Sequence, residues 1–174
     1  MKKDEIKRLA LFYPLVQGVD NPVLRTKSTE ITEFDSEIIE FANILRELMY
    51  HYDGVGLAAP QLWKNIRMVA TTQWKWKGKK QELIADQILI NPTILQHSND
   101  TLVFEEWCLS VPWVFGTVER FKEIKVHYYD EYGEEFTRIF SGYNAVIIQH
   151  EIDHLEGILF VDKMIEDTSK KHKK

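Results

Sequence analysis

The stretch "QHEIDHLEG", residues 149–157, carries two histidines four apart with a glutamate directly after the first. On a helix, residues four apart lie one above the other, so His150 and His154 can grip one metal ion from the same face. Two imidazoles leave such a site incomplete, because a catalytic zinc-like ion takes three protein ligands and keeps a fourth position open. Downstream residues do not complete it. Phe160 stands where a third histidine would extend the pattern past Gly157, and Glu156 and Glu166 are the only later glutamates. The third ligand must come from upstream. The competing reading is a buried helix that uses both histidines as hydrogen-bonded core residues.

Upstream, the one cysteine of the chain is Cys108, in "FEEWCLSVP". A free cysteine is most often a small buried hydrophobe. Beside a two-histidine helix short of a ligand, a thiolate would complete a known Cys/His/His coordination with an open position. His51, His97 and His127 have no comparable context and read as surface or hairpin residues. A third segment, "GVGLAAPQ" at 54–61, has two glycines that let the backbone approach a ligand closely. Its Gln61 brings an amide N–H suited to a developing oxyanion. Taken alone, this segment is a glycine-rich turn.

The elements that must position these residues follow from periodicity. Residues 35–52 predict an amphipathic helix capped by Asp35 or Ser36, with Ile38, Phe41, Ala42, Leu45, Leu48, Met49 and Tyr52 on its apolar stripe. Asp53-Gly54 ends it. Short strand-like runs follow at 66–72, 81–90 and 101–107, with the lysine-rich "KWKGKK" (75–80) as a hairpin tip. "EIKVHYYD" and "EEFTRIF", separated by "EYG", predict another hairpin. "SGYNAVIIQHEIDHLEG" predicts a helix capped by Ser141 and stopped by Gly157, apolar on nearly every face and therefore buried. Tyr143, Val146, Ile147, His150 and His154 share one side of it. Helices at the two ends and a β-rich middle without strand–helix alternation give an α+β class rather than a doubly wound sheet.

At 174 residues the chain reads as one domain, 1–174, with enough length for a real core. A hydrophobic share of 44% and a charged share of 28% are those of a globular protein. The net charge of -5 points to no nucleic acid. The one basic run, "KKHKK" at 170–174, reads as a solvated tail, with a ribosomal RNA contact as the alternative. Charged residues and Pro14 interrupt the apolar run near the N-terminus, so it is not read as a signal peptide. No run reaches the ~20 apolar residues of a membrane span. A single cysteine excludes an internal disulfide and fits a reducing cytoplasm.

Together, "GVGLAAPQ", "EWCLS" and "QHEIDHLEG", with "DNPVLR" at 20–25, resemble the peptide deformylase family over about residues 18–163, leaving a short basic tail at 168–174. The resemblance implies an α+β fold of mixed or antiparallel sheets packed around a buried C-terminal metal-binding helix. It implies a metal-dependent hydrolase that removes the formyl group from N-formyl-methionyl peptides as they are made. Carried over position by position, Cys108, His150 and His154 are the implied metal ligands and Glu151 the implied acid/base. Gln61 and the backbone N–H of Leu109 are the implied oxyanion donors. Gly56 matches a position whose backbone pairs with the substrate, and Val55, Phe104, Glu106, Tyr143, Val146 and Ile147 match positions lining the methionine pocket.

The implied cofactor is one divalent ion, usually ferrous iron, with zinc, nickel or cobalt able to take its place. The implied setting is the cytoplasm, in reach of the ribosomal peptide exit. No membrane and no sequence-specific nucleic acid belong to this reading. An ordinary metallopeptidase and a non-catalytic deformylase-like binding protein are the alternatives. One residue departs from the family pattern: Trp107 stands where the family has glycine before the cysteine. With negative φ, its indole would form an aromatic wall beside the peptide that follows the formyl-methionine.

Overall fold

The computed structural model describes residues 3–78 and 80–172. Helix α1 (Lys3–Phe12) and the short α2 (Pro22–Arg25) precede the long helix α3 (Ser36–His51). The Asp35 side chain accepts the N–H groups of Glu37 and Ile38, each at 3.0 Å, so Asp35 rather than Ser36 is the cap. Asp53, in the left-handed region at φ 55, turns the chain away at the other end. The buried face of α3 holds Phe41, Ala42, Ile44, Leu45, Leu48 and Met49, while Ile38 and Tyr52 are half-buried at its margins. Ile6, Leu9 and Ala10 of α1 pack against this cluster.

Among the described residues, eight strands form two sheets. In the larger, β1 (Gly56–Ala58), β2 (Met68–Lys77), β3 (Lys80–His97), β6 (Glu123–Tyr129) and β7 (Glu135–Ser141) lie side by side in that order. The smaller orders β4 (Thr101–Cys108), β5 (Val111–Phe121) and β8 (Met164–Asp167). Every strand pair among the described residues is antiparallel; the one parallel contact is an isolated bridge between Thr29 and Ile66. The α+β expectation holds, and the sheets are antiparallel rather than mixed.

Helix α4 (Tyr143–Leu155) packs against both sheets, and ten of its 13 residues are buried, as its all-round apolar pattern predicts. Its cap differs from expectation. Ser141 is the last residue of β7, paired with Glu123, and the cap is Gly142 at φ 59 and ψ -132. The chain turns from strand to helix within that one residue, in a region where a side chain clashes with the backbone. Gly157, at φ 74, ends the helix segment as expected.

Other boundaries moved for local reasons. The glycine-rich turn at 54–61 contains an edge strand, β1, of only three residues. β3 continues past residue 90 because Asn91 bulges out at φ 51, its side chain bonding both the N–H and C=O of Ile31. The hairpin between β2 and β3 forms, with Lys79 outside the described residues.

The basic end is not a free tail as far as it is described. Thr168 is buried with its N–H on the Phe115 carbonyl, and His172 stacks on Phe115 at 4.1 Å. Lys173 and Lys174 lie outside the described residues. Among the described residues no helix is long and apolar enough to cross a membrane.

Candidate metal centre and cleft

Cys108 is the last residue of β4 and pairs with Val111 across the tight turn of Leu109 and Ser110. This places its sulfur under α4, where His150 and His154 project from adjacent turns of one face. One donor atom from each of Cys108, His150 and His154 lies within 4.8 Å of the others. The Cys108 Sγ is 3.3 Å from His154 Nε2 and accepts the Ser110 N–H at 3.4 Å. Burial opposes ionisation of the thiol, but His154 and His150 outweigh it and bring Cys108 well below its ordinary value. A thiolate with two convergent imidazoles is a donor set that suits a zinc-like or ferrous ion.

Glu106 fixes the orientation of His150. Burial pushes the Glu106 carboxyl up, but hydrogen bonds from Arg120 and His150 prevail and hold it at about 2. It is therefore an acceptor only, and the 2.8 Å contact with His150 Nδ1 requires the proton on Nδ1. Nε2 is left as the free donor atom of that ring. Arg120 Nε and Nη2 donate to the two Glu106 oxygens at 2.7 and 2.9 Å, and Nη1 donates to Asp153. Lys163 closes the chain on Asp153 at 2.6 Å. The carboxylate behind the histidine is thus itself anchored by a buried, fully engaged guanidinium.

Gln61 lies on the 3-10 turn Ala59–Leu62 that follows β1, with its carbonyl accepting the Ala58 N–H at 2.8 Å. That bond orients the amide nitrogen toward Ser110 Oγ at 3.0 Å and Cys108 Sγ at 3.7 Å. Glu151 projects from α4 toward Gly56. Burial raises its carboxyl to about 7 against the lowering effect of the two imidazoles. Its Oε2 is buried and has no hydrogen-bond partner among the described residues, and the residue borders the cleft.

A cavity of about 90 Å³ opens beside these groups. Each of Val55, Gly56, Phe104, Glu106, Trp107, Tyr143, Val146 and Ile147 lies on its wall, as do Gln61, Cys108, Leu109, His150 and Glu151. His154 lies beneath it, 1% exposed. The Phe104 and Tyr143 rings meet at 5.3 Å and form one apolar side. Glu106 borders the cavity, but its carboxylate is committed to His150 and Arg120, so it acts behind the histidine more than on an apolar side chain. Trp107 is absent from the residues with positive φ, so its backbone needs no glycine, and its half-exposed indole stands at the mouth. Sequence reasoning missed Arg120, Asp153 and Ser110. Asp153 had a signal, since it follows His150 by three on the same helix; Arg120 had none before the β4–β5 register was known.

The sequence model described as "Polypeptide deformylase" matches residues 14–170. A peptide deformylase of Pseudothermotoga lettingae is 42% identical over 147 residues, covering 84% of this chain and 80% of the relative. A peptide deformylase of Desulfotalea psychrophila is 39% identical, covering 83% of each. Among solved structures, the Met-Ala-Ser-bound class I type b peptide deformylase of Acinetobacter baumannii superposes with a TM-score of 0.80 at 31% identity, over 87% of this chain and 97% of that one. The peptide deformylase of Thermotoga maritima gives a TM-score of 0.76 at 39% identity, over 88% and 98%. With relatives of this identity matched across most of both chains, and a fold shared with their solved structures, the chain belongs to the peptide deformylase family.

Proposed function

We propose that Cys108, His150 and His154 hold the divalent ion on which deformylation depends, and that Glu151 moves the proton in the reaction. The enzyme is a metal-dependent amide hydrolase that takes the formyl group from the N-terminal methionine of newly made polypeptides. The observation that carries the site assignment is the convergence of the Cys108 sulfur and two imidazoles beneath a cleft bordered by Glu151, whose buried Oε2 has no hydrogen-bond partner among the described residues. The ion supplies Lewis acidity, activating water and polarising the formyl oxygen. Ferrous iron is the proposed occupant in the cell, with zinc, nickel or cobalt as substitutes, because the mixed sulfur and nitrogen donors suit each of them.

The remaining chemistry belongs to the protein. Glu151 accepts the proton of the attacking water at its free carboxylate oxygen and returns it to the departing amine nitrogen, as the C–N bond breaks and formate leaves. The Gln61 amide, held by the Ala58 N–H, and the Leu109 N–H stabilise the oxyanion. Phe104, Tyr143, Val146, Ile147 and Val55 receive the methionine side chain. Glu106 keeps His150 in one tautomer. β1 is an edge strand, so the backbone of Gly56 can pair with an extended peptide. Newly made formyl-methionyl chains place the enzyme in the cytoplasm beside the ribosomal exit, where the exposed Lys170 and Lys171 offer a basic contact.

Anaerobic purification, metal analysis and turnover of formyl-Met-Ala-Ser on one sample test this reading. The expected result is about one ion per chain and release of formate, with both reduced in Cys108→Ala. Full metal occupancy in that variant would remove Cys108 from the ligand set.

A further inference from the structure

The support of His150 extends past the carboxylate behind it. Glu106 Oε2 accepts the His150 Nδ1–H at 2.8 Å and also an Arg120 Nη2–H at 2.9 Å, so one oxygen holds both the ring and the guanidinium. Arg120 reaches Asp153 Oδ2 through Nη1, and Asp153 Oδ1 accepts from Lys163 Nζ at 2.6 Å. Two carboxylates are thus matched by two cations. The side chains of Glu106, Arg120 and Asp153 are 5%, 3% and 11% exposed, whereas that of Lys163 is 40% exposed. Lys163 is where this series of ion pairs meets solvent.

Local structure puts the ammonium there. Lys163 follows the 3-10 turn Phe160–Asp162, and its N–H donates to the Phe160 carbonyl at 3.0 Å. Asp162 in that turn accepts the Leu159 N–H at 2.8 Å and pairs with Arg25, which ties the turn to α2. Phe160 is buried, and its ring faces that of His150 with centroids 6.1 Å apart and planes at 26°. One turn therefore supports the His150 side of the site twice, by a ring against the imidazole and by an ammonium on Asp153.

An isolated half-exposed ion pair contributes little to stability. The place of this one in the series gives it another use. A buried carboxylate must be matched by charge and hydrogen bonds, and without Lys163 only one of the two cations on Asp153 remains. Arg120 would then turn toward Asp153, and its Nη2 would leave the Glu106 oxygen that also holds His150. We infer that Lys163 is a positioning residue for His150: by satisfying Asp153 it leaves Arg120 to clamp Glu106, and Glu106 to hold the imidazole with Nε2 toward the ion. The inference rests on the ligand assignment proposed above and adds the residue from which the orientation of that ligand is set.

The test measures loss of zinc to a chelator from zinc-loaded wild type, Lys163→Met, Lys163→Arg, Asp153→Asn and the Asp153→Asn/Lys163→Met double variant. Lys163→Met should lose the ion roughly 5-fold faster than wild type, less than the ~10–100-fold seen when a direct partner of a ligand is removed. Lys163→Arg keeps a cation within reach of Asp153 and should retain zinc as wild type does. In Asp153→Asn no carboxylate competes for Arg120, so adding Lys163→Met should change nothing further. Tm should stay close to wild type in both Lys163 variants, while the His150 Nδ1–H of the zinc-loaded protein should exchange faster with water in Lys163→Met alone. Retention in Lys163→Met equal to wild type, no recovery in Lys163→Arg, or the same loss with and without the Asp153 carboxylate overturns the inference. Wild type that retains no zinc overturns the ligand assignment itself, and this inference with it.

Discussion

The carboxyl of Glu151 lies so close against Gly56 that a methyl group there would stand 2.3 Å from Oε1. The glycine is therefore required for space: β1 passes directly against the carboxyl of Glu151, the proposed proton-transfer group. Gly56→Ala must push the carboxyl aside, and a displacement near 1 Å costs on the order of 100-fold in rate. Stability should fall by only about 1–3 kcal/mol, the scale of local overpacking. Steady-state kinetics and thermal melts of the same preparation check this. A variant with intact turnover would mean that the glutamate has room to retreat without leaving its task.

Glu151→Gln keeps the shape and removes the proposed base. Metal content should match wild type, while kcat falls by at least ~100-fold across neutral pH. Metal analysis beside turnover separates the two. Loss of the ion in this variant would make Glu151 part of the binding set.

Arg120 ties two buried carboxylates, Glu106 and Asp153, into one network. Arg120→Met leaves both without their shared partner, and removing one member of a buried ion network costs about 3–5 kcal/mol. Glu106→Gln is the gentler probe, because its amide oxygen still accepts the His150 Nδ1–H. It should weaken metal retention by less than Glu106→Ala, for which a loss of about 10–100-fold is expected. Competition with a chelator measures the order. Equal loss in the two Glu106 variants would show that charge, rather than orientation of the ring, is what the histidine needs.

Asp162 gives a pH-dependent contribution far from the reaction. Its hydrogen bonds from Arg25, with the Leu159 N–H, hold the carboxyl below its ordinary value of 3.8 against partial burial. A carboxyl lowered in the folded state stabilises fully above its ordinary value and loses that contribution as the pH falls through the folded value. Asp162→Asn should therefore cost about 1 kcal/mol or less at pH 7 and progressively less in acid. Urea midpoints at pH 7 and at a series of falling acid pH values test this, and a gap that does not narrow anywhere along the series would mean that shape rather than charge matters.

The sequence was legible where spacing alone decides the outcome. Three-and-four spacing located α3, an all-round apolar run between end signals located α4, and the i, i+4 histidines identified the helix that stands under the cleft. Legibility failed where long-range pairing decides. Pro112 and Gly116 break any alternation in β5, yet the strand forms because β4 and β8 flank it. β1 is three residues long and has no periodicity to read. Asn91 and Pro92 looked like the end of a strand and proved to be a bulge inside β3. Glu106 was placed among pocket residues because its position could be matched, but its partner Arg120 could not be found without the register. The negative φ favoured for Trp107 agrees with its backbone, while the left-handed residue of the hairpin is Trp113, which the sequence did not mark.

The all-round burial of α4 has a consequence for the lifetime of the site. A helix exposed on one face can open by fraying, letting its amides exchange with solvent while the rest of the fold stays closed. From Val146 to Leu155 every residue except the half-buried His150 is buried, and both sheets lie against the helix. Its amides have no local opening to exchange through, so their protection should match the free energy of global unfolding. The two histidines and the glutamate thus disperse only when the whole chain does, and inactivation on heating becomes a measure of the unfolding rate itself.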